Sequence, residues 1–250
     1  MVPHHPRKGT GLSILAGNFL DIRSILRQLL PAQPCFLCGT NSRNGVWCAA
    51  CDKDLPYLTA PHCPVCALPT HLGATCGHCL QHPPHFERTV AVFAYAFPLD
   101  QLVLALKHGQ QLLLANSLAD KLVQQIKVRP DCLIAMPLHP ARLRQRGFNQ
   151  SLELARRVGR QMNIPLLLHA CQRVRDTPPQ TTLSRQARSK NMRRAFACTQ
   201  DLSDKSVAVV DDVMTSGASL NELALTLRRA GAREVQAWVI ARTLPHSHYD

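Results

Sequence analysis

Eight of the eleven cysteines form four Cys-x-x-Cys pairs, and this spacing constrains the chain more than any other feature. The gaps between successive pairs are nine, eleven and nine residues. A Cys-x-x-Cys turn places two thiolates on one side of a metal ion, and a second turn completes a tetrahedron. Two loops of equal length, each lying between two such turns, therefore predict two Zn²⁺ sites.

Sequential ligand sets are expected from this order. The two sets are Cys35, Cys38, Cys48 and Cys51, and Cys63, Cys66, Cys76 and Cys79. A crossed or nested pairing of the same turns, or an iron–sulfur cluster, would satisfy the same spacing. Neither set leaves a coordination position for water, so the sites are predicted to be structural. Solvated loop positions are expected for the neighbouring histidines His62, His71, His78, His82 and His85.

The cysteine usage also indicates the compartment. No signal-peptide pattern is present in the first residues, so eleven cysteines favour metal binding over disulfides and predict a cytoplasmic protein. No apolar run approaches the roughly 20 residues that a membrane helix needs. Cys132, Cys171 and Cys198 show no pairing pattern, and we expect them in the core.

Three regions are predicted along the chain. Residues 1–34 form a lead-in with an amphipathic helix around Leu20–Leu30, residues 35–86 a double zinc ribbon, and residues 87–250 a larger domain. Apolar residues are sparse in 35–86, so metal binding must supply most of the folding free energy of that module.

From residue 87 onward, strand-like and helix-like patterns alternate. Strands are expected at 88–97, 131–137, 207–210 and 234–243, and helices at 99–109, 112–126, 149–162 and 219–231. We expect Gly231 to cap the last helix. This alternation predicts an α/β fold whose mostly parallel sheet is flanked by helices.

The segment VAVVDDVMTSGASL, residues 207–220, carries the strongest signal for a ligand. Its acids, Asp211 and Asp212, are expected to leave the strand at the carboxyl edge of the sheet, where open α/β folds bind ligands. The small and hydroxylated residues that follow would form an anion cradle at a helix N-terminus. They are Thr215, Ser216, Gly217, Ala218 and Ser219. A cradle beside two carboxylates suits a ribose 5-phosphate, which offers a phosphate and vicinal hydroxyls.

VVDDVMTSGAS also resembles the phosphoribosyl pyrophosphate motif of type I phosphoribosyltransferases. The resemblance implies the fold of that family. It also implies that Asp211 and Asp212 are catalytic and hold the ribose hydroxyls, and that the loop 215–219 holds the 5-phosphate. The loop Pro137-Leu138-His139 would then bind pyrophosphate, and Mg²⁺ would accompany phosphoribosyl pyrophosphate in an active pocket. A surface role for His139 is the alternative.

Two further segments are similar to the ComF family, the competence-associated phosphoribosyltransferase-like proteins. They are IAMPLHPARLRQRGFNQSLELA, residues 134–155, and QTTLSRQARSKNMRRAF, residues 180–196. The double zinc ribbon is another mark of that group. The resemblance implies that the protein handles single-stranded DNA during DNA uptake and natural transformation. Competence or helicase-type proteins would be further partners.

The positive charge of the chain is regional. Residues 142–194 contain thirteen basic residues against Glu153 and Asp176, a net charge of +11 out of +13 for the whole chain. This concentration predicts a polyanion or polyphosphate site. The segments 142–146 and 185–194, which we call the hood, are expected over the carboxyl edge of the sheet. The hood residues proposed to bind nucleic acid or pyrophosphate are Arg142, Arg144, Arg146, Arg185, Arg188, Arg193 and Arg194.

Two functions are consistent with these patterns. The first is single-stranded DNA handling, in which the hood neutralises the backbone and Phe148 or Phe196 stacks on a base. Core packing is the alternative role for each phenylalanine. The second function is an active phosphoribosyltransferase of nucleotide metabolism or salvage, in which a nitrogen nucleophile displaces pyrophosphate from phosphoribosyl pyrophosphate.

Overall fold

The computed structural model describes residues 33–42, 45–108, 112–175 and 192–245. The strands are β1 (Gln33–Pro34), β2 (Asn41–Ser42), β3 (Arg88–Ala94), β4 (Cys132–Ala135), β5 (Cys171–Arg173), β6 (Phe196–Cys198), β7 (Ser206–Met214) and β8 (Glu234–Arg242). The helices are α1 (Ala49–Lys53), α2 (Gly77–Gln81), α3 (Leu99–His108), α4 (Leu112–Gln125), α5 (Pro140–Arg146), α6 (Gln150–Met162) and α7 (Ala218–Arg229). The helix predicted at Leu20–Leu30 lies outside the described residues.

A four-stranded parallel sheet in the order β3-β8-β7-β4 forms the centre of the fold. β7 and β8 are almost completely buried along their length, because helices cover both faces of a sheet of this kind. Alternate strand residues pack under α7 on one face and under α3, α4 and α6 on the other. The predicted α/β fold with a mostly parallel sheet is therefore confirmed.

The predicted elements of this sheet are present, with one instructive difference. Asp211 and Asp212 lie inside β7, whereas we expected them to leave the strand. The strand continues to Met214 because β8 pairs with it on that side, with Asp211 opposite Val239. Two acidic residues disfavour a strand locally, and the pairing with β8 overrides that preference.

The last helix ends as the sequence predicts. Ala230 is the cap residue of α7, and Gly231 follows it with a φ of +96°. The backbone amides of Gly231 and Ala232 donate to the carbonyls of Arg228 and Leu227, which is a Schellman motif. A Cβ on Gly231 would lie only 2.9–3.0 Å from atoms of Ser203, so glycine is required here for space as well as for φ.

The cysteine-rich region docks on the outer edge of the sheet. The backbone amide of Leu58 donates to the carbonyl of Val92 at 2.9 Å, and the amide of Ala94 donates to the carbonyl of Pro56 at 2.8 Å. Residues 56–58 thereby cover the edge of β3 that the sheet leaves open. None of the helices in the described part of the chain is long and apolar enough to span a membrane.

A separate antiparallel pair, β5 and β6, lies beyond the sheet and leads into and out of residues 176–191. Cys171 and Cys198 stand opposite each other in this pair, although the sequence showed no pairing pattern for them. Cys132 and Cys171 are buried as expected, and Cys198 is half-buried. Phe196 is also buried, with the Arg173 guanidinium 5.9 Å from its ring centroid, which supports core packing for this phenylalanine.

Candidate functional site

The two acids of β7 form the centre of the site. Asp211 is 9 % exposed and Asp212 is 5 % exposed. The Oδ1 atom of Asp211 accepts hydrogen bonds from the Ser151 hydroxyl and from the backbone amide of Asp212, both at 2.9 Å. Buried carboxylates require such partners, and here the first turn of α6 supplies one of them.

Asp212 is held by a cation from another helix. Its Oδ2 atom lies 3.0 Å from Nζ of Lys107, near the end of α3, and accepts from the Gln150 amide at 3.5 Å. The Oε1 atom of Gln150 in turn accepts from the Arg146 guanidinium at 2.8 Å. A continuous polar chain therefore runs from the basic helix α5 through Gln150 to the acidic pair.

Burial and like charge change the acid–base behaviour of this pair. Burial, reinforced by the neighbouring charge of Asp212, raises the pKa of Asp211 to about 8. Burial alone would lower the pKa of Lys107, but its attraction to Asp212 raises it above the ordinary value. At neutral pH the Asp211 carboxyl therefore retains its proton while the Lys107 ammonium stays charged.

The segment after β7 forms a tight turn into α7. Gly217 is the N-cap residue of α7 with a φ of +79°, and a Cβ at this position would lie 2.8 Å from Cε of Met214. The backbone amide of Ala218 donates to the Ser216 hydroxyl at 3.4 Å. Thr215 is exposed and Ser216 half-buried, so their hydroxyls border solvent at the helix N-terminus. We call residues 215–219 the ribose-phosphate loop after the ligand that the sequence predicts for them.

The predicted pyrophosphate loop lies beside the acidic pair. β4 pairs with β7, and the backbone amide of Met136 donates to the carbonyl of Val210 at 2.9 Å, so Pro137-Leu138-His139 leaves the sheet next to Asp211. Nδ1 of His139 accepts from the backbone amide of Ala141 at 3.3 Å and caps α5. The structure thus gives His139 a helix-capping contact in addition to its loop position.

Asn149 fixes this loop relative to α6. Its side-chain oxygen accepts from the backbone amides of Ser151 and Leu152, and its side-chain nitrogen donates to the carbonyl of Met136 at 3.0 Å. One asparagine therefore caps α6 and holds the end of β4. Because α6 begins there, Gln150 and Ser151 point at the acidic pair.

The described hood arginines lie on α5 and in the turn before β6. Arg142, Arg144 and Arg146 are carried by α5, directly after the predicted pyrophosphate loop. Arg193 and Arg194 are exposed and lie beside α7, where the backbone amide of Arg194 donates to Glu222 at 2.6 Å. The other two hood residues, Arg185 and Arg188, are outside the described residues.

A cavity of about 460 Å³ lies between the 137–140 loop, α5, α6 and β5. Phe148 and Leu143 contribute to its apolar wall, and Glu153 and Arg156 pair at its side with 2.6 Å between Oε1 and a guanidinium nitrogen. Phe148 is half-buried, so its ring is open to this space.

The cysteines form two sequential tetrads, as expected. The Sγ atoms within each tetrad lie within 4.8 Å of one another, and among the described residues both groups consist of cysteines alone. The Cys38 and Cys48 sulfurs are 3.8 Å apart, and those of Cys66 and Cys76 are 3.6 Å apart. A tetrahedral zinc ion with bonds of about 2.3 Å separates its sulfurs by about 3.8 Å, so the donor sets fit Zn²⁺.

The pKa values of the tetrad thiols are consistent with a role as metal ligands. Burial opposes ionisation of Cys35 and Cys63, but backbone amides that donate to their sulfurs lower the pKa values to about 6 and about 7. The adjacent Cys38 thiol, together with burial, raises the pKa of Cys51, and burial with neighbouring thiols raises that of Cys79. Each tetrad thus contains one thiol whose pKa is near neutrality. A bound cation would lower the pKa values of the other thiols in the tetrad and allow them to ionise.

Comparison with known protein families gives separate matches for the cysteine-rich region and for part of the larger domain. Residues 25–80 match the double zinc ribbon domain, and residues 149–247 match the phosphoribosyl transferase domain. The second match contains Gln150, Ser151, the acidic pair and the ribose-phosphate loop. The boundaries predicted for the lead-in, the ribbon and the larger domain remain predictions.

Relatives resemble the chain over most of its length. DNA utilization protein YhgH of Escherichia coli is 35 % identical over 221 residues, 84 % of this chain and 97 % of that protein. Competence protein F of Haemophilus influenzae is 32 % identical over 224 residues, 83 % of this chain and 96 % of that protein. The chain belongs to the ComF family. Competence protein ComFC of Streptococcus pneumoniae is 24 % identical over 205 residues, 78 % of this ComF-family chain and 87 % of that protein.

Several residues of this ComF-family site escaped prediction as functional residues. Gln150 and Ser151 belong to the segment 134–155 that resembles the ComF family. That resemblance was the feature of the sequence that could have identified them as site residues. Lys107 lies in the last turn of the mostly apolar helix α3, and Arg242 ends the buried strand β8. An isolated charge at the end of a buried element was the only sign in the sequence that either residue has a specific partner.

Proposed function

We propose that this ComF-family protein binds single-stranded DNA during DNA uptake and holds a ribose 5-phosphate at the carboxyl edge of its sheet. The main support for this proposal is the chain of hydrogen bonds that joins the basic helix α5 to the buried acidic pair through Arg146 and Gln150. The names of the relatives refer to competence and to DNA utilization, which supports DNA as the polyanion.

Charge supports the DNA part of the proposal. Arg142, Arg144 and Arg146 lie on one short helix beside the site, and Arg193 and Arg194 lie near α7. Arginine suits a phosphate backbone because its planar fork can donate two hydrogen bonds to one phosphate group. The half-buried ring of Phe148 offers a surface on which a base can stack.

The site geometry supports the ribose-phosphate part. Asp211 and Asp212 present acceptors for vicinal hydroxyls, and the ribose-phosphate loop ends at the N-terminus of a helix of 12 residues. The cytoplasm is the compartment that we propose, because the eight clustered thiols require reducing conditions to stay free of disulfides. Competence or helicase-type proteins are the protein partners that we propose.

The DNA part is tested by the salt dependence of binding. Fluorescence anisotropy with a labelled thymidine homopolymer of about 30 nucleotides should give log K falling linearly with log salt. Replacing Arg142 and Arg144 with alanine should reduce the magnitude of the slope by about 1.4, because each phosphate contact on a single strand contributes about 0.7.

A matched control is available at the other edge of the sheet. Lys127 and Lys205 are exposed and lie just before β4 and β7, at the amino ends of these strands. Replacing both with alanine removes the same charge and should leave the slope unchanged within about 0.3. Equal effects of the two double variants, or no DNA binding by the wild type, would refute the DNA part.

The ribose-phosphate part is tested by calorimetry. Ribose 5-phosphate should bind the wild type and should not bind the Asp211→Asn/Asp212→Asn variant, in which the charge of the pair is removed with little change in shape. Ser206→Ala, at the opposite end of β7, is the control and should retain binding. Absence of binding in the wild type would refute this part while leaving the DNA result intact.

A phosphoribosyltransferase is the second candidate function. The match of residues 149–247 to the phosphoribosyl transferase domain favours it, because the matched segment contains the acidic pair and the loop. If the pocket is active, Mg²⁺ would accompany phosphoribosyl pyrophosphate, and Pro137-Leu138-His139 would bind the pyrophosphate. The activity is tested by adding a nucleobase to protein and phosphoribosyl pyrophosphate: the base nitrogen should displace pyrophosphate from the ribose, and Asp211→Asn should abolish the pyrophosphate release.

A further inference from the structure

Arg242 occupies the point where the double zinc ribbon, the end of β7 and the ribose-phosphate loop meet. It is the last residue of β8 and is 3 % exposed. Its Nε donates to the carbonyl of Cys66 at 2.7 Å, and one terminal nitrogen donates to the carbonyls of Met214 and Thr243, both at 2.9 Å. The same nitrogen also donates to the carbonyl of Thr215.

These contacts join two parts of the chain that are far apart in sequence. Cys66 is a ligand of the second tetrad, and Thr215 is the first residue of the ribose-phosphate loop. We propose that Arg242 is a positioning residue that couples metal binding at the second tetrad to the geometry of the ribose-phosphate loop. The identity of the ligand at that loop rests on the proposed function, but the coupling itself does not.

Other hydrogen bonds connect the same two parts. The Thr89 hydroxyl donates to the carbonyl of Val65 at 2.5 Å and lies 3.9 Å from the sulfur of Met214. The backbone amide of His85 donates to the side-chain oxygen of Asn221, on the first turn of α7, at 2.7 Å. Residues near the second tetrad thus reach Asn221, after the loop, directly through His85, and Met214, before the loop, through Thr89.

The first tetrad makes a different set of contacts. Its Cys35 packs with the core of α3 and α4, whereas Cys63, Cys66 and Cys79 pack with Met214 and α7 on the other face of the sheet. Next to the first tetrad, Asp52 pairs with Lys121 of α4 at 2.8 Å. The two tetrads therefore pack on different helices, and the described Arg242 contacts link the second tetrad to the loop.

The coupling has a simple physical cause. A zinc ion fixes the Cys63–Cys66 turn, and this turn presents the Cys66 carbonyl to the guanidinium. If the turn loosens, the buried guanidinium loses the Cys66 carbonyl as an acceptor, and its position against the carbonyls of Met214 and Thr215 is less well fixed. An arginine is needed because its planar fork donates in several directions at once, which a lysine ammonium does not reproduce.

Hydrogen–deuterium exchange on the zinc-loaded full chain tests the proposal. Cys76→Ser removes one ligand of the second tetrad, and we expect exchange of residues 214–220 to rise about tenfold, as loss of a hydrogen bond to a charged group predicts. Cys48→Ser is the matched control, because Cys48 is the third ligand of the first tetrad as Cys76 is of the second, and it should change the exchange of the loop less than about twofold. The strand peptide 206–210 is the internal reference for global unfolding.

Substitution of Arg242 separates coupling from metal loss. Arg242→Met should accelerate exchange in residues 214–220 while elemental analysis still finds two zinc ions per chain. Adding Cys76→Ser to Arg242→Met should then produce no further change in the loop, because the link is already broken. If Arg242→Met does not fold, Arg242→Lys serves instead. It should accelerate exchange in residues 214–220 less, and the effects of Arg242→Lys and Cys76→Ser on this exchange should again not add.

Two results would overturn the coupling. One is a Cys76→Ser protein whose loop exchanges as in the wild type. The other is an acceleration that is fully additive in the double variant. Failure of the wild type to bind ribose 5-phosphate would refute the proposed ligand and leave the exchange result standing, so the two failures are distinguishable.

Discussion

Asp211 is the residue whose chemistry differs most from its ordinary behaviour. Its carboxyl is buried beside Asp212, which raises its pKa to about 8, while the same group in the unfolded chain ionises near pH 4. Between pH 6 and 8 the folded state therefore binds a proton that the unfolded state does not. Stability must fall as the pH rises through this window.

We predict that this dependence disappears in Asp211→Asn. From pH 6 to pH 8, the free energy of unfolding of the wild type should fall by about 2 kcal/mol relative to the variant, because each pH unit below the folded pKa contributes about 1.4 kcal/mol. Urea unfolding at both pH values measures the difference. Parallel pH profiles for the two proteins would contradict the raised pKa.

Lys107 gives a second prediction at this scale. Its ammonium lies 3.0 Å from Asp212, and the two side chains are 23 % and 7 % exposed. Lys107→Met leaves the Asp212 carboxylate buried without this cation and should destabilise the fold by about 2–4 kcal/mol in urea unfolding. Lys107→Met/Asp212→Asn should recover more than half of the loss, because the uncompensated charge is gone.

The ion pair that serves as a comparison for Lys107 and Asp212 joins α4 to α1. Lys121 and Asp52 are 2.8 Å apart, with 23 % and 31 % of their side chains exposed. Water screens this pair more strongly, so Lys121→Met should lower the unfolding free energy by only about 1 kcal/mol. If Lys107→Met and Lys121→Met lower the unfolding free energy equally, burial of Asp212 does not determine how strongly the Lys107–Asp212 pair stabilises the fold.

At the scale of elements, the sequence indicates most of the site. Apolar runs and helical spacing identify β7, α6 and α7, and Asn149 and Gly231 mark a helix start and a helix end that the structure retains. The four Cys-x-x-Cys turns also follow from spacing, and the structure selects the sequential pairing among those that the spacing allows. These features are local, so composition and periodicity within a short window are sufficient to predict them.

The features that escaped prediction depend on contacts between distant segments. Asp211 and Asp212 stay in β7 because β8 continues beside them, and Lys107 reaches Asp212 from a helix that ends about one hundred residues earlier. Arg242 contacts Cys66 across 176 positions of the chain. A pattern within one segment carries no information on such pairings, because packing in three dimensions selects them.

The pairing of β5 with β6 gives a prediction for an element that the sequence did not resolve. Backbone hydrogen bonds from Thr199 to Ala170 and from Val174 to Ala195 make Cys171 and Cys198 a non-hydrogen-bonded pair. Such pairs place Cα atoms about 4.5 Å apart, within the range of a disulfide. Glutathione disulfide should therefore link them, with two glutathione molecules as the reduced product.

Mass spectrometry of the zinc-loaded protein checks this register. The peptides that contain Cys171 and Cys198 should be linked after oxidation and separate after reduction. In Cys198→Ser, the same oxidation should give either a mixed disulfide between Cys171 and glutathione or no reaction at Cys171. A linkage of Cys198 to Cys132, which is buried in β4, would contradict the register of the two strands.

At the scale of the whole molecule, the cysteine-rich region covers an open edge of the central sheet. Residues 56–58 hydrogen-bond to β3 at Val92 and Ala94, and this contact occupies an edge that would otherwise present unpaired amides and carbonyls. Exposed sheet edges promote association with other chains. The metal sites are therefore expected to keep the protein from self-association as well as to fold the ribbon.

Zinc removal tests this consequence directly. Elemental analysis should find two zinc ions per chain, and a strong chelator under reducing conditions should release both. The ribbon then loses the metal that organises it, β3 becomes exposed, and sedimentation velocity should show self-association that increases with protein concentration. Chelator already saturated with zinc is the control, and returned zinc should restore the original sedimentation coefficient. A metal-free chain with unchanged sedimentation at every concentration would show that residues 56–58 cover β3 without help from the metal.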